Sequence, residues 1–297
     1  MAEAPLGLGR HPSGEGGLPG SADLITPDSM LFQLVGDQRY ALSGLAAGNL
    51  QLMIPAIGAG VTEHSDFFND PWDRVFRSLP KIIGSVCDPD AKATAEWIWK
   101  RHNKIEGADD GHGNAYHAQD PEVFWAAHAT FTVAAFDMAD RYTDWRLDDD
   151  QQEQLYRESV GWYRRYDEGI DMAPVPRNYR AFREKWHYIC EDVLEMTPAA
   201  ERSIDIGQRR DIPRPPNITE EQWRVLQKPV SEVVSLVAIG GIPEDVRERL
   251  DIAFSLADRA KLKAVELLAR KGFRFLPENM RYYPQALNGM AAAAEAA

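Results

Sequence analysis

An all-α fold is predicted by three features of the sequence: Asp-Pro pairs that open helical runs, apolar residues recurring every three or four positions, and a scarcity of alternating apolar and polar stretches. At 297 residues, 44% of them hydrophobic and eight of them Trp, the chain has material for one large core. Residues 1–22 are rich in glycine and proline and lack the basic and apolar blocks of a signal peptide, so they read as a disordered lead-in to a single domain over 23–285.

Residues 40–62 carry no charge and are long enough to span a bilayer. Ser43, Asn49, Gln51, Pro55 and four glycines make this stretch too polar for that role, and a buried, tightly packed helical segment is expected instead. Asp70-Pro71, Asp88-Pro89 and Asp120-Pro121 each place an Asp at the N-cap and a Pro at the first helical position. Residues 107–119 form a long loop or one small hairpin. Helices are expected over 149–167, 177–196 and 244–270, and Thr219 with Gln222 makes a capping box ahead of another. The Pro- and Arg-rich run at 203–217 interrupts the pattern, and the Ala-rich residues 286–297 read as a flexible tail.

With 33 basic and 46 acidic residues the net charge is −13, which argues against nucleic acid as a partner. Cys87 and Cys190 stand far apart without a CxxC pair, so a reducing, cytoplasmic setting is expected and no disulfide framework or zinc ribbon.

The candidate chemistry lies on three helices. Ala91, Ala95, Ile98, His102 and Ile105 recur at helical spacing and set His102 inside an apolar stripe. A histidine there is either a core residue satisfied by one hydrogen bond or a neutral ligand for a metal. His128 repeats the pattern among Phe124, Phe131, Ala135, Met138 and Tyr142, where tying helices together is the simpler role. On the third helix Trp72, Val75, Phe76, Leu79 and Ile83 form an apolar side, while Arg74, Arg77, Ser78 and Lys81 gather on another, next to a kink expected at Pro80. Such a cluster is either a solvated face or a site for anionic groups. Glu184 and His187 form one Glu-x-x-His unit, whereas a di-iron bundle needs two.

Ordered blocks of residues resemble the haem oxygenase family that includes the latex-clearing rubber oxygenase and the MpaB-like proteins. These are LQLMIP at 50–55, AGVTEHSDF at 59–67, DPWDRVFRS at 70–78, RHNKIEG at 101–107, YHAQDP at 116–121 and WAAHAT at 125–130, with GGIP at 240–243 followed by Val246 and Arg247. The resemblance covers nearly the whole chain. It implies an all-α domain with a non-covalent b-type haem buried between helices, His102 as the axial ligand to iron, and Arg74, Arg77 and Ser78 on the opposite side. His128 would help bind the cofactor, and His64 is a candidate general base. It further implies that dioxygen cleaves or oxidises an apolar, unsaturated molecule of isoprenoid type. Two departures stand out: Ile54 occupies a position where the family commonly has histidine, and Arg77 replaces a lysine that can coordinate iron when neutral. The competing expectations are a haem- or small-molecule-binding protein without turnover, and a di-iron oxidase.

Overall fold

The computed structural model describes residues 25–67, 69–210 and 212–296. Among them fourteen α-helices are joined by short connections, and the one sheet is a two-residue hairpin pairing Glu106 with His117 and Gly107 with Tyr116. The architecture is all-α, as the helical spacing predicts. The expectation of a disordered lead-in at 1–22 lies outside the described residues.

Two helices form the middle of the core, α2 (Tyr40–Leu52) and α6 (Pro121–Asp137). Each presents small residues to its neighbours, Ala46 and Ala47 on α2 and Ala126, Ala129, Ala134 and Ala135 on α6, all of them buried. Close approach brings polar groups within reach. Gln51 Nε2 donates to the Ala127 carbonyl (3.2 Å) and to Thr130 Oγ1 (2.8 Å), and Asn49 Nδ2 donates to the Ala238 carbonyl (3.1 Å). Two of the polar residues that weaken 40–62 as a membrane span, Asn49 and Gln51, thus hydrogen-bond packed helices to one another.

That uncharged stretch is two helices rather than one. After α2 the chain turns through 96° into α3 (Pro55–His64), with Ile54 extended and Pro55 opening the new helix. The corner is clamped by Thr197, whose hydroxyl donates to the Leu52 carbonyl at 2.6 Å, and by the Glu195 amide, which donates to the Met53 carbonyl at 2.9 Å. No single helix among the described residues is long and apolar enough to cross a membrane.

Three expected boundaries move. The helix foreseen at Asp88-Pro89 is α5 (Ala91–His102), capped by Asp90, whose side chain accepts from the Ala93 amide; α4 (Pro71–Cys87) runs up to that junction and passes through Pro80. The single helix foreseen over 244–270 is broken into α11 (Glu244–Arg249) and α12 (Leu256–Gly272), because Asp251 adopts a left-handed φ of 54° and the Ile252 amide turns back to the Arg247 carbonyl. The interruption at 203–217 is shorter than expected, since α9 (Pro198–Arg209) persists to a left-handed Arg210. The capping box at Thr219 opens α10 (Glu220–Gly240), and α7 (Asp149–Arg164) and α8 (Tyr179–Tyr188) complete the body, α8 continuing into a π-helical turn at Ile189–Val193. The Ala-rich end is a helix, α14 (Pro284–Ala296), with Ala286 and Gly289 buried and Gly289 lying against Phe32 and the Cys87 carbonyl.

Glycine at the α2–α3 corner is a packing requirement. A Cβ on Gly58 would sit 2.7 Å from both the Leu52 carbonyl and the Thr197 hydroxyl, whereas one on Gly48 meets nothing within 4 Å. Gly58→Ala is therefore expected to lower unfolding free energy by about 1–3 kcal/mol in a denaturant titration. Gly48→Ala, in the interior of α2, is expected to raise it by about 0.5–1 kcal/mol.

Candidate active site

Of the residues singled out in the sequence, α4 carries Arg74, Arg77 and Ser78, α5 His102 and α6 His128, and Arg74 and Phe124 lie near His102. His102 is the last residue of α5 and is half-buried. Its Nδ1 lies 2.8 Å from the Ile98 carbonyl one turn back. A carbonyl only accepts, so Nδ1 carries the proton and Nε2 keeps its lone pair. Nε2 makes no hydrogen bond to any of the described residues. Burial lowers the imidazole pKa from 6.5; the bond to Ile98 opposes that shift, and the nearby charge of Arg74 adds to it. The ring is therefore neutral at neutral pH, with one nitrogen held and the other available.

The wall beside it is aromatic. Phe124 of α6 meets the His102 ring edge-on at 5.6 Å between centroids, and the same Phe124 packs against Trp99 (4.7 Å) and Tyr166 (5.0 Å). Gln119 ties this group to the hairpin by donating to the Trp99 carbonyl at 2.8 Å. Asp120 starts α6 as foreseen, accepting from the amides of Glu122 and Val123.

On α4, Arg74 is half-buried and has no acidic partner among the described residues. Burial and the charge of Arg77 both push its pKa down, the mark of a guanidinium held out of water next to a like charge. Arg77 is exposed and Ser78 half-buried. Phe76, expected on the apolar side of this helix, is 45% exposed. It stacks on Trp72 at 5.8 Å, and Trp72 Nε1 donates to the Pro213 carbonyl at 2.6 Å, so this end of α4 packs against a connection instead of the core. Further along, Trp97 of α5 lies between the cations of Lys81 (5.1 Å) and Arg101 (4.9 Å) and joins α4 to α5.

His64 and His128 are placed differently. At the end of α3, His64 Nε2 donates to the Glu106 carbonyl at 2.8 Å, which leaves Nδ1 as its basic nitrogen. Next to it Glu63 accepts from the Tyr116 hydroxyl at 2.8 Å, and Gly60 and Gly107 leave room for that ring. His128 is buried among Trp162, Tyr163 and Tyr166, and its Nε2 donates to the Ser159 carbonyl at 3.0 Å. Its Nδ1 and the hydroxyl of Tyr163 are buried without hydrogen-bond partners.

Sequence reasoning missed the Ile98 carbonyl, Trp99 and the Glu63–Tyr116 bond. A backbone acceptor leaves no trace in residue types. The tyrosine and the glutamate are far apart in sequence, and only the paired glycines hint at a ring nearby. The Glu-x-x-His unit gathers no ligands: Glu184 pairs with Arg180 (3.1 Å) and His187 with Glu191 (3.2 Å). Among the described residues no group of three or more His, Cys, Asp or Glu is placed to hold a metal ion. In the hairpin loop His112 pairs with Glu195 (2.9 Å), and His117 Nδ1 accepts from the Gln119 amide.

The all-helical body thus holds a singly committed histidine beside a half-buried arginine. The chain belongs to the family described as ER-bound oxygenase mpaB/B'/Rubber oxygenase, catalytic domain, whose model matches residues 32–271. That makes it a member of a family of oxygenases, and the matched span takes in α4, α5 and α6 with every residue of the site. No curated protein and no solved structure matches the chain.

Burial pushes the His128 pKa down to about 3 from 6.5. Between those values the unfolded chain binds a proton that the folded chain refuses, so stability present above pH 6.5 is lost as pH falls, by about 1.4 kcal/mol per pH unit. Unfolding free energies of His128→Gln, measured from pH 6.5 to 5, are expected to fall with a slope shallower than wild type by about that amount.

Proposed function

We propose that this chain is a b-type haem-dependent oxygenase that uses dioxygen to oxidise an apolar, unsaturated small molecule of isoprenoid type. One observation carries the reading: His102 has its Nδ1 proton bound to the Ile98 carbonyl and its Nε2 lone pair uncommitted, beside an arginine without an acidic partner among the described residues. Membership in an oxygenase family supports it.

In this reading Nε2 of His102 would hold the haem iron. The bond to Ile98 fixes the tautomer and aim of the ring and raises its basicity, as backbone acceptors do for metal-bound histidines. Arg74 and Arg77 supply positive charge for the two carboxylates that a haem carries, with Arg74 the stronger partner because it is already half-dehydrated. The Arg77 guanidinium offers N–H donors and no acceptor. Bound there, the haem would supply dioxygen activation. Phe124 and Trp99 exclude water from the histidine side, and the Ser78 hydroxyl is a short donor one residue beyond Arg77. His64 can accept a proton at Nδ1, since its Nε2 proton is engaged by Glu106. His128, with its Nδ1 unpartnered and its ring packed on Trp162, Tyr163 and Tyr166, would in this reading support the cofactor wall.

Purified protein reconstituted with haem is expected to show a strong Soret band that His102→Ala abolishes, while its circular dichroism stays helical. Arg74→Ala should keep the band and weaken haem affinity by roughly 10- to 100-fold. A wild-type chain that takes up no haem, or a His102→Ala chain with an unaltered Soret band, would overturn the assignment. Oxygen uptake that depends on an added isoprenoid olefin then separates an oxygenase from a protein that only binds haem.

A further inference from the structure

We infer that the outer face of α12 is a docking surface for an anionic lipid bilayer, on which the protein lies as a peripheral membrane protein. This stands apart from the haem reading and rests on a different part of the molecule.

Helix α12 has two unlike sides. Leu262, Val265 and Ala269 pack inward, and both of its acidic residues are engaged there: Asp258 pairs with Arg210 (2.5 Å) and Glu266 with Arg141 (2.7 Å). The outward side carries Leu256, Ala260, Ala264, Leu267 and Leu268 at helical spacing, and Phe275 extends it past the end of the helix. Leu256 is 84%, Leu267 57% and Leu268 72% exposed, so three large apolar side chains on one side of α12 face water, and Phe275, three residues past its end, is 76% exposed. Singly exposed leucines are ordinary; a row of them on one helix marks an interaction surface.

Charge decides the occupant. In a chain of net charge −13, residues 256–275 contain six basic residues and two acidic ones, and neither acidic residue is on the outward side. Lys261, Lys263 and Lys271 border the apolar row. Lys261 and Lys271 reach back to Glu232 and Asp144 in exposed pairs, Lys263 has no ion-pair partner among the described residues, and the Arg274 guanidinium lies over Phe275 at 4.8 Å. A helix with leucine and phenylalanine between lysines lies in the boundary of an anionic bilayer, the apolar side chains entering it and the lysines meeting the headgroups. A second copy of this chain fits less well: a two-fold contact through this face sets lysines against the same lysines and joins two bodies of net charge −13. Lipid also suits an enzyme whose proposed substrate is apolar, although the surface does not depend on that substrate.

The test is co-flotation of the full chain with vesicles of phosphatidylcholine alone or with about 30 mol % phosphatidylserine, at low and high salt. Wild type is expected to float with the anionic vesicles, to stay behind with neutral ones, and to release at high salt. The double variant Leu267→Glu/Leu268→Glu is expected to partition at least about tenfold less, and Lys263→Glu a few-fold less. Val225→Glu, an exposed residue on α10, should leave flotation unchanged, and matched thermal unfolding of all variants excludes misfolding as the cause. Failure of wild type to bind anionic vesicles, or equal binding by the double variant, overturns the proposal. So does a wild-type dimer in light scattering that the double variant converts to monomer without any lipid binding, which would assign the face to a second copy.

Discussion

The bond from His102 Nδ1 to the Ile98 carbonyl is the constraint on which the site depends. An imidazole near a helix end can rotate, change tautomer or take up a proton, and each change removes the lone pair that a ligand would need. Burial with the charge of Arg74 opposes the third, and the carbonyl one turn back opposes the first two. It accepts a proton only from Nδ1, it belongs to the same helix and so moves with the ring, and it leaves the desolvated side of the imidazole facing Phe124. Two carbonyls near the end of the helix accept side-chain donors: Ile98 from the histidine ring and Trp99 from Gln119. Neighbouring hydrogen bonds at this end of α5 therefore tie it to the hairpin and orient the imidazole.

The two histidines set in apolar stripes show how far residue spacing can be read. His102 and His128 have the same signature in sequence, and the structure gives them different surroundings. His128 lies midway along α6, closed in on three sides by the rings of Trp162, Tyr163 and Tyr166, and its outward nitrogen bonds to Ser159 of α7. His102 sits where its helix stops, so nothing follows it on the same face and one nitrogen stays uncommitted. Periodicity reports which side of a helix is inward; it is silent about what the neighbouring helix presents there. That choice is made by α7, through contacts spanning some thirty residues of sequence.

Helix positions were legible from caps and spacing, and helix breaks were not. Asp120, Thr219 and Asp148 act through side chains that bond amides two or three residues on, a local device visible in residue types. The bend after Leu52 and the break at Asp251 rest on partners elsewhere. Thr197 and Glu195 hold the first, and Arg247, whose Nε donates to the Ile242 carbonyl at 3.0 Å, shapes the second. Apolar periodicity runs on across both breaks, because both flanking helices still face the core. The same blindness hid the exposure of Phe76, whose spacing marks it as inward although α4 there packs on the connection at Pro213.

Arg74 remains the least economical residue of the fold. A guanidinium drawn partly out of water loses hydration that only an anion or several carbonyls can replace, and the described residues offer it no carboxylate while Arg77 adds a like charge one turn away. Two other inward arginines are compensated: buried Arg165 bonds the carbonyls of Ser85, Val86 and Ile25, and half-buried Arg141 has Glu266. In a chain with a surplus of acidic residues, a partner for Arg74 was within easy reach of a single substitution. This local cost stands next to an imidazole nitrogen that none of the described residues engages, so the two groups left without protein partners are neighbours.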